Sequence, residues 1–184
     1  MKKMAIIVCL IGVVGVSGCA VAPRTTEGQN VLRSQVDEAV AVFRDTDPEI
    51  QHFFDTAYGY AIFPRVTKAA WVLGGSYGRG EVYEQGQLIG YNDLTGGTIG
   101  FSGGAQFFRE IIFFENKFYF DRFIDRDFSF AAEASAIALT WGAAAKANYD
   151  KGMIVFVQPD TGVMVDASIG AQRFRFAPTE LVRR

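Results

Sequence analysis

The sequence predicts an α+β fold: N-terminal amphipathic helices packed on a strongly curved, glycine-rich antiparallel sheet, either open or closed into a small barrel. Three observations carry this expectation. Leu32, Val36, Ala39, Val40 and Phe43 fall on one face of a helix. From Tyr60 the period changes to two, and Trp71, Leu73, Gly75 and Tyr77 alternate with smaller residues. The 184 residues include 17 Phe and 20 Gly, and glycines scattered among aromatics suit strands that bend sharply.

The chain opens with Lys2 and Lys3, followed by an apolar run from Ala5 to Val16. That run falls short of the ~20 residues needed to span a bilayer, and it has the length of a secretory signal core. Val16-Ser17-Gly18-Cys19 resembles the bacterial lipobox. The resemblance implies that the Cys19 thiol is alkylated by a diacylglyceryl group, that the chain is cut before Cys19, and that the new amine is acylated. A thiolate is the side-chain nucleophile suited to taking the lipid under mild conditions. Several acyl chains make such an anchor effectively permanent. In the lipoprotein resemblance, Ala20 in place of an aspartate favours sorting to the outer membrane, facing the periplasm or the cell surface. Residues 1–18 therefore read as a lipoprotein signal peptide, 19–29 as a lipidated tether, and 30–184 as one domain.

Composition narrows the function. Cys9 leaves with the signal and Cys19 carries lipid, so the mature domain is expected to have no disulfide. The formal net charge is −2, and loss of Lys2 and Lys3 makes the chain more acidic still. That balance argues against a nucleic-acid partner, which would call for a basic domain.

The elements follow in order. Asn30 can cap the first helix. Asp47-Pro48-Glu49 is a second helix start: a capping acid, a proline in the first turn, then an acid near the positive end. Ile50, Phe53, Phe54 and Ala57 form its apolar stripe, and Gly59 ends it. Glu84-Gln85-Gly86-Gln87 reads as a turn between strands, with Leu88 to Tyr91 resuming the sheet. Thr98 to Phe108 reads as one glycine-broken strand, continued after a bend by Arg109 to Phe114. Asn116 caps a short helix carrying Phe120, Phe123 and Ile124. Residues 128–149 are assigned as two strands. Met153 to Val157 and Val163 to Ile169 flank a turn at Pro159-Asp160-Thr161-Gly162, and Arg173 to Phe176 alternate as a last strand.

Several motifs tempt and fail. Gly74-Gly75-Ser76-Tyr77-Gly78 and Gly100-Phe101-Ser102-Gly103-Gly104 match the serine-hydrolase pattern, but the base is missing. The single histidine, His52, lies upstream of both serines on a helix. One histidine and no free cysteine cannot assemble a zinc site of the usual ligands. Asp121, Asp125 and Asp127 are interleaved with Arg122 and Arg126, which reads as a self-paired solvated face. Gly78-Arg79-Gly80 lacks the third glycine of a dinucleotide fingerprint. No cofactor and no catalysis are expected.

One order of motifs is more specific. Ala57-Tyr58-Gly59-Tyr60-Ala61-Ile62-Phe63-Pro64 leads through Lys68-Ala69 into Gly74-Gly75-Ser76-Tyr77-Gly78-Arg79-Gly80. Gly96-Gly97-Thr98-Ile99-Gly100, Gly103-Gly104-Ala105-Gln106 and Ile111-Ile112-Phe113-Phe114 follow. This succession resembles the SYLF domain family, shared by bacterial lipoproteins and eukaryotic actin-patch proteins, over roughly Val31 to Phe176. The resemblance implies binding to phosphoinositides or other anionic phospholipids and implies no enzyme activity. Actin binding does not carry over, because an exported protein would not meet actin in its own cell. The family's basic first helix is also weak here, where Arg33 and Arg44 stand against Asp37, Glu38 and Asp45.

The expected headgroup contacts are Arg65 and Lys68 near the first strand, Arg79 within the glycine turn, and Arg173 with Arg175 on one face of the last strand, opposite Phe174 and Phe176. The rival function is a structural envelope protein that binds a protein partner or itself through an aromatic strand edge at Phe107 to Phe114.

Overall fold

The structure, a computed structural model, describes residues 22–23, 25–70, 73–99, 104–125, 129–130, 136–160 and 171–179. Cys19, Ser102, Asp127 and the second half of the 153–169 hairpin lie outside them.

Helix α1 spans Thr26–Thr46 and starts four residues ahead of Asn30, because the Thr25 hydroxyl accepts from the Gly28 amide at 3.1 Å and caps it. Leu32, Val36, Ala39 and Phe43 are its buried stripe. Asp47 then turns the chain. Its side chain accepts from the Glu49 amide at 3.2 Å, opening a 3-10 turn over Pro48–Ile50 that runs into α2, Gln51–Thr56. Its other oxygen accepts from the Ala144 amide at 2.7 Å, so one buried carboxylate ties the helical corner to the segment before β7.

Eight strands follow among the described residues: β1 Gly59–Ala70, β2 Leu73–Glu84, β3 Gln87–Ile99, β4 Gly104–Phe114, β5 Ser129–Phe130, β6 Ile137–Ala138, β7 Met153–Pro159 and β8 Ala171–Pro178. Helix α3, Lys117–Ile124, lies between β4 and β5, capped by Asn116 as the sequence predicts. The sheet runs β5-β8-β3-β2-β1-β4-β7-β6, antiparallel except for the β6–β7 pair. Gln85 and Gly86 adopt φ of 48° and 78°, the left-handed pair that lets two residues join β2 to β3.

Two expectations change here. Residues 98–108 are not one strand: β3 ends at Ile99 and β4 begins at Gly104. Glycine supplies no facing information, so the reversal between them left no trace in the period. Nor does the sheet close into a barrel. Its outer strands are β5 and β6, and no ladder joins them among the described residues.

The expected curvature is present. β8 and β4 are separated by three strands, about 19 Å in a flat sheet. Yet Gln172 on β8 donates to Glu110 on β4 at 2.9 Å. The sheet is therefore curled about one face. That inner face holds Ala61, Phe63, Val82, Leu94, Ile112, Val155 and Phe174. Helix α3 sits in the seam, where Phe123 packs on Phe114 and Phe174 with ring centroids 4.7 and 5.1 Å apart. The outer face carries Ile62, Tyr83, Tyr91, Ile111, Phe113 and Phe156, under α1 and α2.

Asp47→Ala should remove a cap and orphan the buried Ala144 amide. The expected loss is about 2–3 kcal/mol, or roughly 5–10 °C in Tm, with Asp47→Asn losing less. Thermal unfolding followed by circular dichroism measures both variants; an unchanged Tm for Asp47→Ala would remove this corner from the stability argument.

Candidate functional site

The site begins with an irregularity in β1. Ile62 faces Glu81 on β2, but the next matched pair is Arg65 with Arg79: three steps on β1 against two on β2. The same slip appears against β4, where Phe63 faces Glu110 and Val66 faces Phe108. The extra residue falls at Pro64, which has no amide to give the ladder. Opposite it, a Cβ on Gly80 would meet the Ile62 carbonyl and the Phe63 ring, so the bulge needs glycine there. The bulge resets the alternation. Arg65 emerges on the outer face, and Lys68 turns to the inner one, opposite Ser76 and Gln106.

Outer-face residues then line up across four strands. Arg65, Arg79, Asp93 and Arg175 form one row, on β1, β2, β3 and β8. Thr67, Tyr77, Thr95 and Arg173 form the next. Phe107 faces Thr67 from β4, and Arg109 lies two residues on. Helix α1 covers the row of Ile62, Glu81 and Tyr91 and is tied to it by Arg33, whose Nε lies 3.1 Å from Glu81. The arginine rows lie beyond that cover. Between them and the first turns of α1 is an open groove of about 470 Å³, lined by Pro23, Val31, Leu32, Arg65, Tyr77 and Arg79 among others.

Electrostatics hold this surface in shape. Arg79 donates to Asp93 at 3.0 Å and to the Tyr77 hydroxyl at 3.1 Å. Burial pushes Asp93 above its ordinary range, against the opposing pull of Arg79. Arg109 pairs with Asp160 and reaches Glu38 of α1 at 3.6 Å. Arg65 lies 3.7 Å from Asp160 and over the Phe107 ring, with its side chain 66% exposed. Tyr77 and Phe107 are 44% and 40% exposed. Guanidinium forks match the geometry of phosphate and carboxylate oxygens, and half-exposed aromatics suit a membrane interface.

The sequence-predicted residues divide accordingly. Arg65, Arg79, Arg173 and Arg175 share one face. Lys68 does not: it is buried at 8% exposure on the opposite face. Arg79 sits in mid-strand, not in a turn. Cys19 lies outside the described residues. Tyr77, Phe107 and Arg109 join the face without having been predicted. The alternation of Tyr77 with Arg79 was visible in the sequence; the parity of Arg109 was hidden by the supposed 98–108 strand. The aromatic edge at Phe107 to Phe114 is no edge, since β4 is flanked by β1 and β7 and Phe108, Phe113 and Phe114 are buried. Ser76 is buried on the inner face, whereas α2, which carries His52, packs on the outer face through Phe53.

A protein of Aeromonas veronii named Beta cell expansion factor A is 27% identical to this chain over 154 residues, which is 83% of the chain and 59% of that protein. The chain thus spans less than two thirds of that relative's length. No family model matches it.

The inner face has chemistry of its own. Glu110 and Asn92 are fully buried and Gln172 is nearly so. Glu110 Oε1, Gln172 Oε1 and both polar atoms of Asn92 have no hydrogen-bond partner among the described residues. Burial pushes the Glu110 carboxyl up to about 7, with the Gln172 bond opposing. A carboxyl raised from 4.5 to about 7 stabilises the fold fully below pH 4.5 and loses that contribution as pH rises through 7, about 3 kcal/mol in all. Glu110→Gln should therefore match the parent near pH 4 and exceed it at pH 8. Urea unfolding of both proteins across this range reads the difference; parallel pH profiles would place Glu110 in a more polar environment than its burial indicates.

Proposed function

We propose that this chain is a lipid-anchored protein of the bacterial cell envelope, of the SYLF type, whose outer-face arginines bind the headgroups of anionic phospholipids. The anchor is the acylated Cys19, and the membrane is the outer membrane. One observation carries the reading: Arg65, Arg79, Arg173 and Arg175 lie on one face of four neighbouring strands, with Tyr77 and Phe107 exposed among them. The acidic net charge is no obstacle. Exposed charges more than a Debye length apart, ~8 Å at physiological salt, hardly feel each other. Each arginine at an anionic surface contributes ~1 kcal/mol. Lys68 drops out of the contact set, and Arg109 enters it as a positioning residue that holds Asp160. The rival, a structural envelope protein, loses the aromatic edge at Phe107 to Phe114 as its contact surface, because β4 is an interior strand.

A chain beginning at Ala22, without the anchor, should float weakly with phosphatidylglycerol vesicles, lose that binding as salt rises, and ignore phosphatidylcholine vesicles. Arg173→Glu with Arg175→Glu should lower flotation several-fold while circular dichroism shows the fold retained; Arg65→Glu should act in the same direction. Lys68→Gln should leave flotation unaltered. Absence of flotation even at low salt would end the headgroup reading.

A further inference from the structure

The start of the described chain lies against the arginine face. Ala22 is buried in the outer-face core with Leu32 and Val36. Pro23 lines the groove that also contains Arg65, Tyr77 and Arg79, and it packs so closely on the first turn of α1 that a Cβ on Gly28 would come within 3.3 Å of its Cβ. The tether expected to run to residue 29 therefore ends at Ala22. Between Cys19 and Ala22 there are three residue steps, a reach of at most about 11 Å. The arginine rows themselves cross three strand spacings, about 14 Å. A domain of this length has a radius of gyration of about 15 Å, so the leash is shorter than the domain is thick.

We infer that the domain lies flat on the same leaflet that holds its own acyl chains, with the arginine rows, Tyr77 and Phe107 against the lipid and α3 turned away. This deepens the headgroup reading and rests on it for the choice of partner, an anionic bilayer surface. The leash limits which faces reach the membrane, and charge selects among them. Five arginines, at 65, 79, 109, 173 and 175, stand on this surface against Asp93 and Asp160, and α1 on the same side of the sheet adds Arg33 and Arg44 against Glu27, Asp37, Glu38 and Asp45. Helix α3 packs on the opposite side of the sheet, where Phe118 is 64% exposed. Three residue steps from Ala22, at most about 11 Å, cannot carry Phe118 to that leaflet while the arginine side faces solvent.

The test uses the full lipidated chain in phosphatidylglycerol–phosphatidylethanolamine vesicles. With Cys19 acylated, a cysteine introduced elsewhere is the one reactive thiol of the mature chain. Tyr77→Cys, Phe107→Cys and Phe118→Cys are each labelled with an environment-sensitive fluorophore, nitrobenzoxadiazole. Labels at 77 and 107 should shift to the blue, be quenched by headgroup nitroxides, and resist aqueous iodide several-fold better than the label at 118. A spacer of about twelve Gly and Ser residues before Ala22 should reduce that contrast, most of all in neutral vesicles where charge no longer orients the domain. Iodide reaching 77 and 118 equally, or a label at 118 in the lipid, overturns the orientation; flotation of the unanchored chain would still leave the headgroup reading standing. The converse result, shielding at 77 without flotation, keeps the orientation and removes the headgroup affinity. Shielding at 77 in the unanchored chain without vesicles overturns the lipid contact in favour of self-association. Thiol labelling at Cys19 in the unmutated chain overturns the inference at its anchor.

Discussion

The phase of one central strand determines what the two faces of this sheet carry. β1 lies between β2 and β4, and its register to both slips by one residue at Pro64. Side chains alternate with a period of two, so a one-residue insertion exchanges the faces for everything beyond it. Up to Phe63 the strand puts Ile62 outward under α1 and Ala61 and Phe63 inward. Beyond the bulge it puts Arg65 and Thr67 outward and Val66 and Lys68 inward. Without the slip, Arg65 would be driven into an aromatic core, and Val66 would lie among the arginines.

Burial on both sides of the sheet then explains its composition. The helices cover one face, and the curl together with α3 covers the other, so Phe43, Phe53 and Phe113 fill the first core and Phe63, Phe114, Phe123 and Phe174 the second. Rings of that size on the concave side leave little room for neighbours. Glycine opposite the bulge, at Gly80, is what that crowding requires. The same crowding strips water from Glu110. One hydrogen bond from Gln172 does not replace the solvation of a carboxylate, and its proton is held toward neutrality.

Local signals are legible in the sequence, and long-range ones are not. The Leu32–Phe43 stripe, the Asp47 corner, the Gln85-Gly86 turn, the Asn116 cap and the Arg173/Arg175 face each depend on residues a few positions apart, and each is where the sequence put it. The curl was legible from the glycines. Its failure to close was not, because closure depends on whether two distant strands meet. Lys68 was misplaced for the same reason: its face is set by a register slip involving two partner strands. α1 started early because Thr25, a good cap, lies inside what composition alone marks as a tether.

The arginine face also shows how an acidic chain can present a basic surface. Asp93 and Asp160 neutralise part of the charge on Arg79 and Arg109, and in return they hold those guanidinium groups in place. Side chains already ordered lose less entropy on binding. If the exposed arginines each contribute ~1 kcal/mol, three or four of them give about 3–4 kcal/mol, a dissociation constant in the millimolar range. A freely diffusing domain would rarely be bound at that strength. A short leash supplies an effective concentration of the same millimolar order, so in the proposed arrangement the anchored domain is bound about half the time or more. Modest affinity is then sufficient, and small changes in surface charge or salt shift the bound fraction across its most responsive range.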